Sequence, residues 1–417
     1  MGPHGSISFV TGRSPPAAAP TVAPTVAPTV APTVAPTVAP TVASVLPGGE
    51  GFSPRRAGAI GLLVARLAGV AGRYRSVVLG QEDPAVPGGF PGLDFRPVRT
   101  RLLPRLGTRA RYPGAVLAAL RRLRPALIEV HNRPVIALRV AAALPRTPVV
   151  LVLHNDPQEM RRAHTAAERR VLLDRLAGIV AVSEWTRARL LDGVGGPEGG
   201  PGRAKVLVLP NCLDLASLPP GLPIATREKL ILYAGRTVVE KGADLFVRAA
   251  AAALPRLPGW RAVMVGARGH GPEGDALGYT ASGPTPEQAG VEVLGYRSNP
   301  EVLAWMGRAA IVVVPSRWEE PFGLVALEAM AMGAALICTR RGGLPEVAGE
   351  AAVYVDPADP DGIAAAIVAL AQDTPRRERL AAAGRARAQG FDLGPAAAAL
   401  EAFRRLVLES SGASLPP

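Results

Sequence analysis

Between Val314 and Val347 the chain reads VPSRWEEPFGLVALEAMAMGAALICTRRGGLPEV, and two of its carboxylates, Glu320 and Glu328, stand eight residues apart. The apolar run before it predicts a strand ending at Val314. Pro315-Ser316 turns the chain out of that strand, and Pro321-Phe322-Gly323 opens a helix. Proline suits the first helical position, where its missing N–H would have no partner anyway. The free N–H groups and partial positive charge of a helix start suit an anion. Glu328 then lies in the body of the same helix, close behind an anion site. Accepting hydrogen bonds from the two vicinal hydroxyls of a ribose accounts for a carboxylate there. A bare Glu-x7-Glu pair carries no information; the strand, turn and helix start around it do.

This whole run resembles the retaining glycosyltransferases of the GT-B fold, family 4, whose hallmark is the two glutamates followed by a small-residue helix and a Gly-Gly-x-Pro-Glu turn, here Gly342-Gly343-Leu344-Pro345-Glu346. The resemblance implies that Glu328 holds ribose, that Glu320 contacts hydroxyls of the donor sugar, and that Phe322 and the amides at Gly323-Leu324 lie at the donor. A second family element is Tyr233-Ala234-Gly235-Arg236-Thr237-Val238-Val239-Glu240-Lys241-Gly242. By resemblance Arg236 and Lys241 hold the donor diphosphate. Read by themselves they are two surface cations; as a pair facing a leaving diphosphate they stabilise the charge that grows as the glycosidic bond breaks. His154, at the end of a predicted strand, matches a sugar-contacting histidine, while His131 is a cleft or structural residue. Gly295-Tyr296 matches a nucleobase-contacting turn. Ala181-Val182-Ser183-Glu184 and Pro210-Asn211-Cys212-Leu213-Asp214 resemble family turns, with Cys212 where a glycine is common. Near the start, relatives carry a Gly-Gly pair against the donor phosphate; here Arg56-Ala57-Gly58-Ala59 leaves Gly58 alone. The resemblance covers roughly Thr41 to Leu408.

The elements that must position these residues alternate. Short β-like runs are predicted at Thr41–Leu46, Ser76–Leu79, Ala126–Val130, Val149–Leu153, Gly178–Val182 and Lys205–Leu209, with helices at Gly58–Ala71, Ala115–Leu123, Ile136–Ala143 and His164–Leu176. After a Pro/Gly-rich linker, Ser217–Pro223, strands follow at Leu230–Ala234, Ala262–Val265, Val291–Leu294, Ile311–Val314, Ala335–Cys338 and Ala352–Val355. Helices there are predicted at Ala243–Leu254, Pro300–Met306, Gly323–Met332, Asp361–Ala371 and Arg376–Ala388. Gly266–Gly290 reads as loop. Strand–helix alternation indicates parallel sheets covered on both faces. The fold class is therefore α/β: two doubly wound Rossmann-like domains facing a cleft, the GT-B arrangement. The expected division is a repeat tail over 1–40, an acceptor-binding domain over 41–222, a nucleotide-sugar-binding domain over 223–392, and a helix over 393–410, Gly394–Leu408, that by resemblance crosses back to brace the first domain.

The chain has 417 residues, 48% of them hydrophobic, enough for two or three cores at about 150 residues per domain. Six tandem Pro-Thr-Val-Ala copies run from Pro20 to Ala43. A proline every fourth residue breaks a membrane-spanning helix and interrupts the apolar core of a signal peptide, so a flexible or polyproline-like tail is expected. The net charge is +13, which favours anionic partners. The arginine-rich stretch 96–124 carries Arg99, Arg101, Arg105, Arg109, Arg111, Arg121, Arg122 and Arg124 with no acid from Val98 to Pro125. It is either a solvated surface or a face resting on anionic lipid; no nucleic-acid-binding signature accompanies it. Two cysteines and five histidines make neither a disulfide framework nor a metal pattern, and a reduced, cytoplasmic setting is expected, with peripheral contact at the inner membrane face.

The expected function is transfer of a sugar from a nucleotide-diphosphate donor to a glycan or lipid-linked acceptor hydroxyl, with retention of configuration, in cell-envelope polysaccharide, lipopolysaccharide or glycolipid synthesis. No cofactor and no metal are expected, since the donor motifs over 233–242 and 314–347 carry no DxD and two cations are available for the diphosphate. Two rivals share the motifs: a GT-B sugar-nucleotide epimerase, and a non-catalytic nucleotide-sugar-binding protein.

Overall fold

The computed structural model describes residues 39–49, 51–54, 57–82, 87–99, 108–195, 204–219, 222–267 and 283–412. Most of the repeat tail, residues 100–107 of the arginine-rich stretch and most of the loop expected at 266–290 lie outside the described residues.

The first half runs β1 (Thr41–Val45), α1 (Ala59–Gly69), β2 (Arg75–Gly80), β3 (Asp94–Pro97), α2 (Thr108–Leu123), β4 (Leu127–His131), α3 (Pro134–Ala143), β5 (Val149–Leu153), α4 (Ala166–Arg175), β6 (Gly178–Ala181), α5 (Glu184–Leu191) and β7 (Lys205–Val208). The second runs β8 (Glu228–Ala234), α6 (Ala243–Ala253), β9 (Arg261–Val265), β10 (Val291–Val293), α7 (Asn299–Arg308), β11 (Ala309–Val314), α8 (Leu324–Ala331), β12 (Ala335–Thr339), α9 (Leu344–Ala348), β13 (Ala352–Val355), α10 (Pro360–Gln372), α11 (Thr374–Ala388) and α12 (Leu393–Ser410). Two sheets result, ordered β3-β2-β1-β4-β5-β6-β7 and β10-β9-β8-β11-β12-β13. Every pair in them is parallel. The winding reverses between β1 and β4 and again between β8 and β11. In open α/β sheets, crevices at the carboxyl ends of such strands receive ligands.

Each sheet is covered on both faces, so its strands read as unbroken apolar runs. Alternate residues of β8 take opposite sides: Leu230 and Leu232 pack with Leu327 and Met330 of α8, while Ile231 and Tyr233 pack with Phe246 of α6. On the first sheet Val42, Leu127, Val150 and Val180 meet Phe403 and Val407 of α12. The last helix therefore does return to the first domain. Buried Arg404 fastens it there through two 2.8 Å hydrogen bonds to Glu129 in β4.

The structure departs from the expected elements where local signals were weak. β3 was not anticipated: it is a half-exposed edge strand reading DFRP. α5 and α9 stand where only turns were read. α2 begins seven residues before Ala115 and carries Pro113 inside it, the kind of residue that ordinarily ends a helical reading. Pro321 is not the first helical residue: α8 starts at Leu324 with Gly323 as its N-cap, and Pro321-Phe322 belongs to the preceding loop.

Candidate active site

Two tight turns at the carboxyl ends of β8 and β11 build the centre of the site. The β8 turn carries Arg236, exposed, and Lys241, half-buried. Gly242 follows at φ 72° and lies so close to the Pro315 carbonyl that a Cβ would strike it. Only glycine fits both the left-handed backbone and the contact, so the two turns are pressed together. Hydrogen bonds hold the join: the Arg317 and Trp318 amides both donate to the Glu240 carbonyl at 2.9 Å, and the Arg317 guanidinium grips Asp244 at 2.6 and 2.7 Å.

That join brings Lys241 to Glu320. The ammonium donates to both carboxylate oxygens, at 2.7 and 2.8 Å, and lies 4.2 Å from the centre of the Trp318 ring. Burial lowers the Lys241 pKa, and the Glu320 charge opposes that fall. Glu320 is fixed from behind by the Gly-Gly turn: the Gly343 amide donates to the Glu320 carbonyl at 2.6 Å. Gly342, at φ 60°, packs against the Glu320 backbone with no room for a Cβ.

Arg236, Tyr296, Gly58 and Glu328 line one cavity of about 200 Å³, together with Arg297 and Asn299. Glu328 is 6% exposed. Burial raises its carboxyl pKa, opposed by the nearby Arg66 charge and by the Asn299 hydrogen bond. That bond, from Asn299 Nδ2 to Glu328 Oε1, is 2.9 Å long. Gly58 caps the start of α1, and no side chain caps the start of α8.

Other expected site residues sit apart from this cavity. His154 stands directly after β5, one residue beyond its last, Leu153; it is buried, and its Nε2 lies 3.0 Å from Nδ1 of His131 with the rings stacked. Burial lowers the His131 pKa to about 3 and holds His154 well below its ordinary value as well. The Phe322 ring is turned inward and packs edge-on against Phe391, so its side chain belongs to the core. Leu324 is half-buried against the same core. Cys212 adopts no positive φ, so the turn it occupies does not require the glycine common there.

Arg66, Arg297, Asn299 and Trp318 escaped the sequence reading. Asn299 had a faint signal, since Ser298 and Glu301 make a capping box around it. Arg66 looked like any exposed position of an amphipathic helix. Glu346 has an unexpected placement: its carboxylate accepts from the Glu184 and Trp185 amides at the start of α5, at 2.7 and 2.6 Å. Beside it, Ser183 Oγ donates to the Pro321 carbonyl at 2.6 Å. The domains therefore meet across the cleft through the loop that carries Glu320.

A second, wider cavity of about 860 Å³ opens at the carboxyl ends of β1, β4 and β5 in the first domain, lined by Gly49, Tyr112, Arg133, Asn155, Glu159 and Arg161 among others. Among the described residues no group of His, Cys, Asp and Glu is placed to hold a metal ion. No described helix is long and apolar enough to cross a membrane.

Residues 228–373 match the family described as Glycosyl transferases group 1, and residues 63–217 match Glycosyltransferase Family 4. The chain is 37% identical over 195 residues to a glycogen synthase of Mycobacterium tuberculosis, covering 45% of each chain. It is 35% identical over 189 residues to a D-inositol 3-phosphate glycosyltransferase of Corynebacterium diphtheriae, covering 43% of each. The matched segments thus span just under half of these relatives. In fold it is similar to a sucrose-phosphate synthase from Thermosynechococcus elongatus (TM-score 0.69, 19% identity, 89% of this chain and all of that one). It is also similar to the Anabaena protein HepE in complex with UDP-glucose (TM-score 0.65, 20% identity, 87% and 99% covered).

Proposed function

Since the chain belongs to the family-4 glycosyltransferases and has the GT-B fold, we propose that it transfers a sugar from a nucleotide-diphosphate donor, with retained anomeric configuration, to a hydroxyl of an acceptor held in the first domain. The observation that carries this reading is the convergence of Arg236, Tyr296, Gly58 and Glu328 on one cavity, with the Lys241–Glu320 pair on the adjoining turns. Glu328 takes the ribose hydroxyls and Tyr296 lies against the base. Arg236, Lys241 and the amides at the start of α8 meet the diphosphate, where the departing charge is stabilised. Glu320, oriented by Lys241, faces hydroxyls of the transferring sugar. Burial disfavours the charged form of both His154 and His131, so the reading gives His154 a hydrogen-bonding role at the sugar.

With no protein nucleophile assigned, the acceptor oxygen attacks the anomeric carbon on the face that the diphosphate leaves. The bond between that carbon and the phosphate oxygen breaks, the new glycosidic bond forms, and the acceptor proton passes to the departing diphosphate. One neighbour in fold, the Anabaena protein HepE, is solved with UDP and with UDP-glucose, which makes a uridine donor the first to test. The acceptor assigned in this reading to the wide first-domain cavity is a glycan or lipid-linked hydroxyl of envelope polysaccharide, lipopolysaccharide or glycolipid synthesis. Peripheral contact of residues 96–124 with anionic lipid belongs to the same reading; equal sedimentation with neutral and anionic liposomes removes it.

The test is a panel of nucleotide sugars scored by thermal shift, since at fixed concentration a ligand's stabilisation grows with the logarithm of its affinity, followed by NMR of the stabilising donor without acceptor. Stabilisation by a nucleotide sugar, with slow diphosphate release and no epimerised sugar, supports transfer. An epimerised nucleotide sugar, or binding without any turnover that Arg236→Ala reduces, overturns it.

A further inference from the structure

Glu328 lies in the second domain, yet what orients it comes from the first. Asn299, the first residue of α7, spends both ends of its side-chain amide. Its Nδ2 donates to Glu328 Oε1 at 2.9 Å, and its Oδ1 accepts from Arg66 Nη2 of α1 at 3.3 Å. An amide with a carboxylate on one side and a guanidinium on the other has one satisfied orientation; flipped, it would set oxygen against oxygen and N–H against N–H. Arg66 is itself anchored, since its Nη1 donates to the Cys212 carbonyl at 3.2 Å. That carbonyl lies where the chain passes between domains, and neighbouring Leu213 exchanges backbone hydrogen bonds with Phe391 and Leu393 at 2.9 and 2.8 Å. A first-domain arginine, fixed at the crossover, thus ends on the second domain's buried carboxylate.

We propose that Arg66 is a positioning residue for the nucleotide: it reaches across the cleft and, through the Asn299 amide, fixes Glu328 in the orientation that receives the ribose hydroxyls, so that the ribose subsite is complete only with the domains closed. This rests on the reading of Glu328 as the ribose-binding carboxylate. Arg66 touches neither sugar nor diphosphate in this scheme. Its loss is felt by the nucleotide and not by the acceptor.

The experiment compares Arg66→Met, which keeps the apolar stem, with Asn299→Ala, the double variant and Arg66→Lys. Each is titrated calorimetrically with UDP, ADP and GDP in separate runs and assayed for donor KM, acceptor KM and kcat. Losing one hydrogen bond to a charged group predicts that each single variant raises nucleotide Kd and donor KM about tenfold. Acceptor KM stays within about twofold, a change below what loss of a single hydrogen bond produces. Because the two residues act in series, the double variant is no worse than the weaker single, and Arg66→Lys recovers part of the loss. Unchanged nucleotide affinity in Arg66→Met, equal losses for donor and acceptor, or losses that multiply in the double variant overturn the proposal. Glu328→Gln run alongside separates the two levels. If it weakens the nucleotide while Arg66→Met does not, the relay alone is wrong. If it leaves nucleotide affinity untouched, the ribose assignment fails and the relay falls with it.

Discussion

Replacing Glu328 by glutamine separates a ligand-binding carboxylate from a structural one. Glu328 is 6% exposed, and among the described residues its side chain accepts one hydrogen bond, from Asn299. Burial raises its pKa, so the folded state holds the ionised form less readily than the unfolded chain does. The sign follows: between the unfolded and folded pKa values the native state binds more protons, and stability falls as pH rises through that window. At neutral pH the charge is therefore a cost to folding. Glutamine keeps the shape and still accepts from Asn299, so Tm of the variant equals or exceeds that of the parent, and its stability loses less on going from acid to neutral pH. Binding moves the other way. A hydrogen bond to a carboxylate exceeds one to a neutral amide by about 1 kcal/mol, so two ribose hydroxyls lose about 2 kcal/mol, or about thirtyfold in Kd. Calorimetric titration of the nucleotide diphosphate, paired with thermal denaturation at pH 5 and 7.5, reads both quantities. A variant that melts lower while binding the nucleotide as tightly as the parent refutes the reasoning.

Three other outcomes follow from the geometry. Lys241→Met strands the Glu320 carboxylate, which is 12% exposed, and lowers stability by about 2 kcal/mol along with kcat; adding Glu320→Gln restores the stability but not the activity, as chemical denaturation and donor turnover will show. Arg404→Ala leaves the Glu129 carboxylate buried with only the Ser44 hydroxyl donating to it and costs about 3–5 kcal/mol, whereas replacing both Arg404 and Glu129 by methionine costs far less, read by urea denaturation with a probe on α12. The His131 imidazole stays neutral through pH 5–8 in NMR; as pH falls from the unfolded histidine value near 6.5 toward about 3, the unfolded state takes up a proton that native His131 does not, and stability is lost across that window, the lowered His154 pKa adding to the loss in the same direction.

The strands were legible because buried parallel strands such as VVLVL at β5 are continuous apolar runs bounded by turn residues. β3 escaped because an edge strand with an aspartate and an arginine in four residues has no such run. The carboxylates of α8 and its loop, with the cations after β8, were readable as a group because each motif is local and its glycines record tight turns. What joins the motifs was not readable. Arg66 and Asn299 are 233 positions apart, and no local pattern marks an arginine on α1 as the one that reaches the other domain. Phe322, expected at the donor from the motif around it, has its ring turned into the core against Phe391, a direction that the local sequence does not show. His154 was expected at the end of a strand and stands directly after β5, but the His131 ring stacked on it, 23 residues away, was visible only once β4 and β5 lay side by side.

The most direct measurement is a crystal structure of the protein with the nucleotide sugar that gives the largest thermal shift. The expected result is ribose hydroxyls within hydrogen-bonding distance of Glu328, the diphosphate on Arg236, Lys241 and the first amides of α8, and the sugar beside Glu320. A nucleotide bound away from that cleft, or seated there with Glu328 still facing only Asn299, would contradict it.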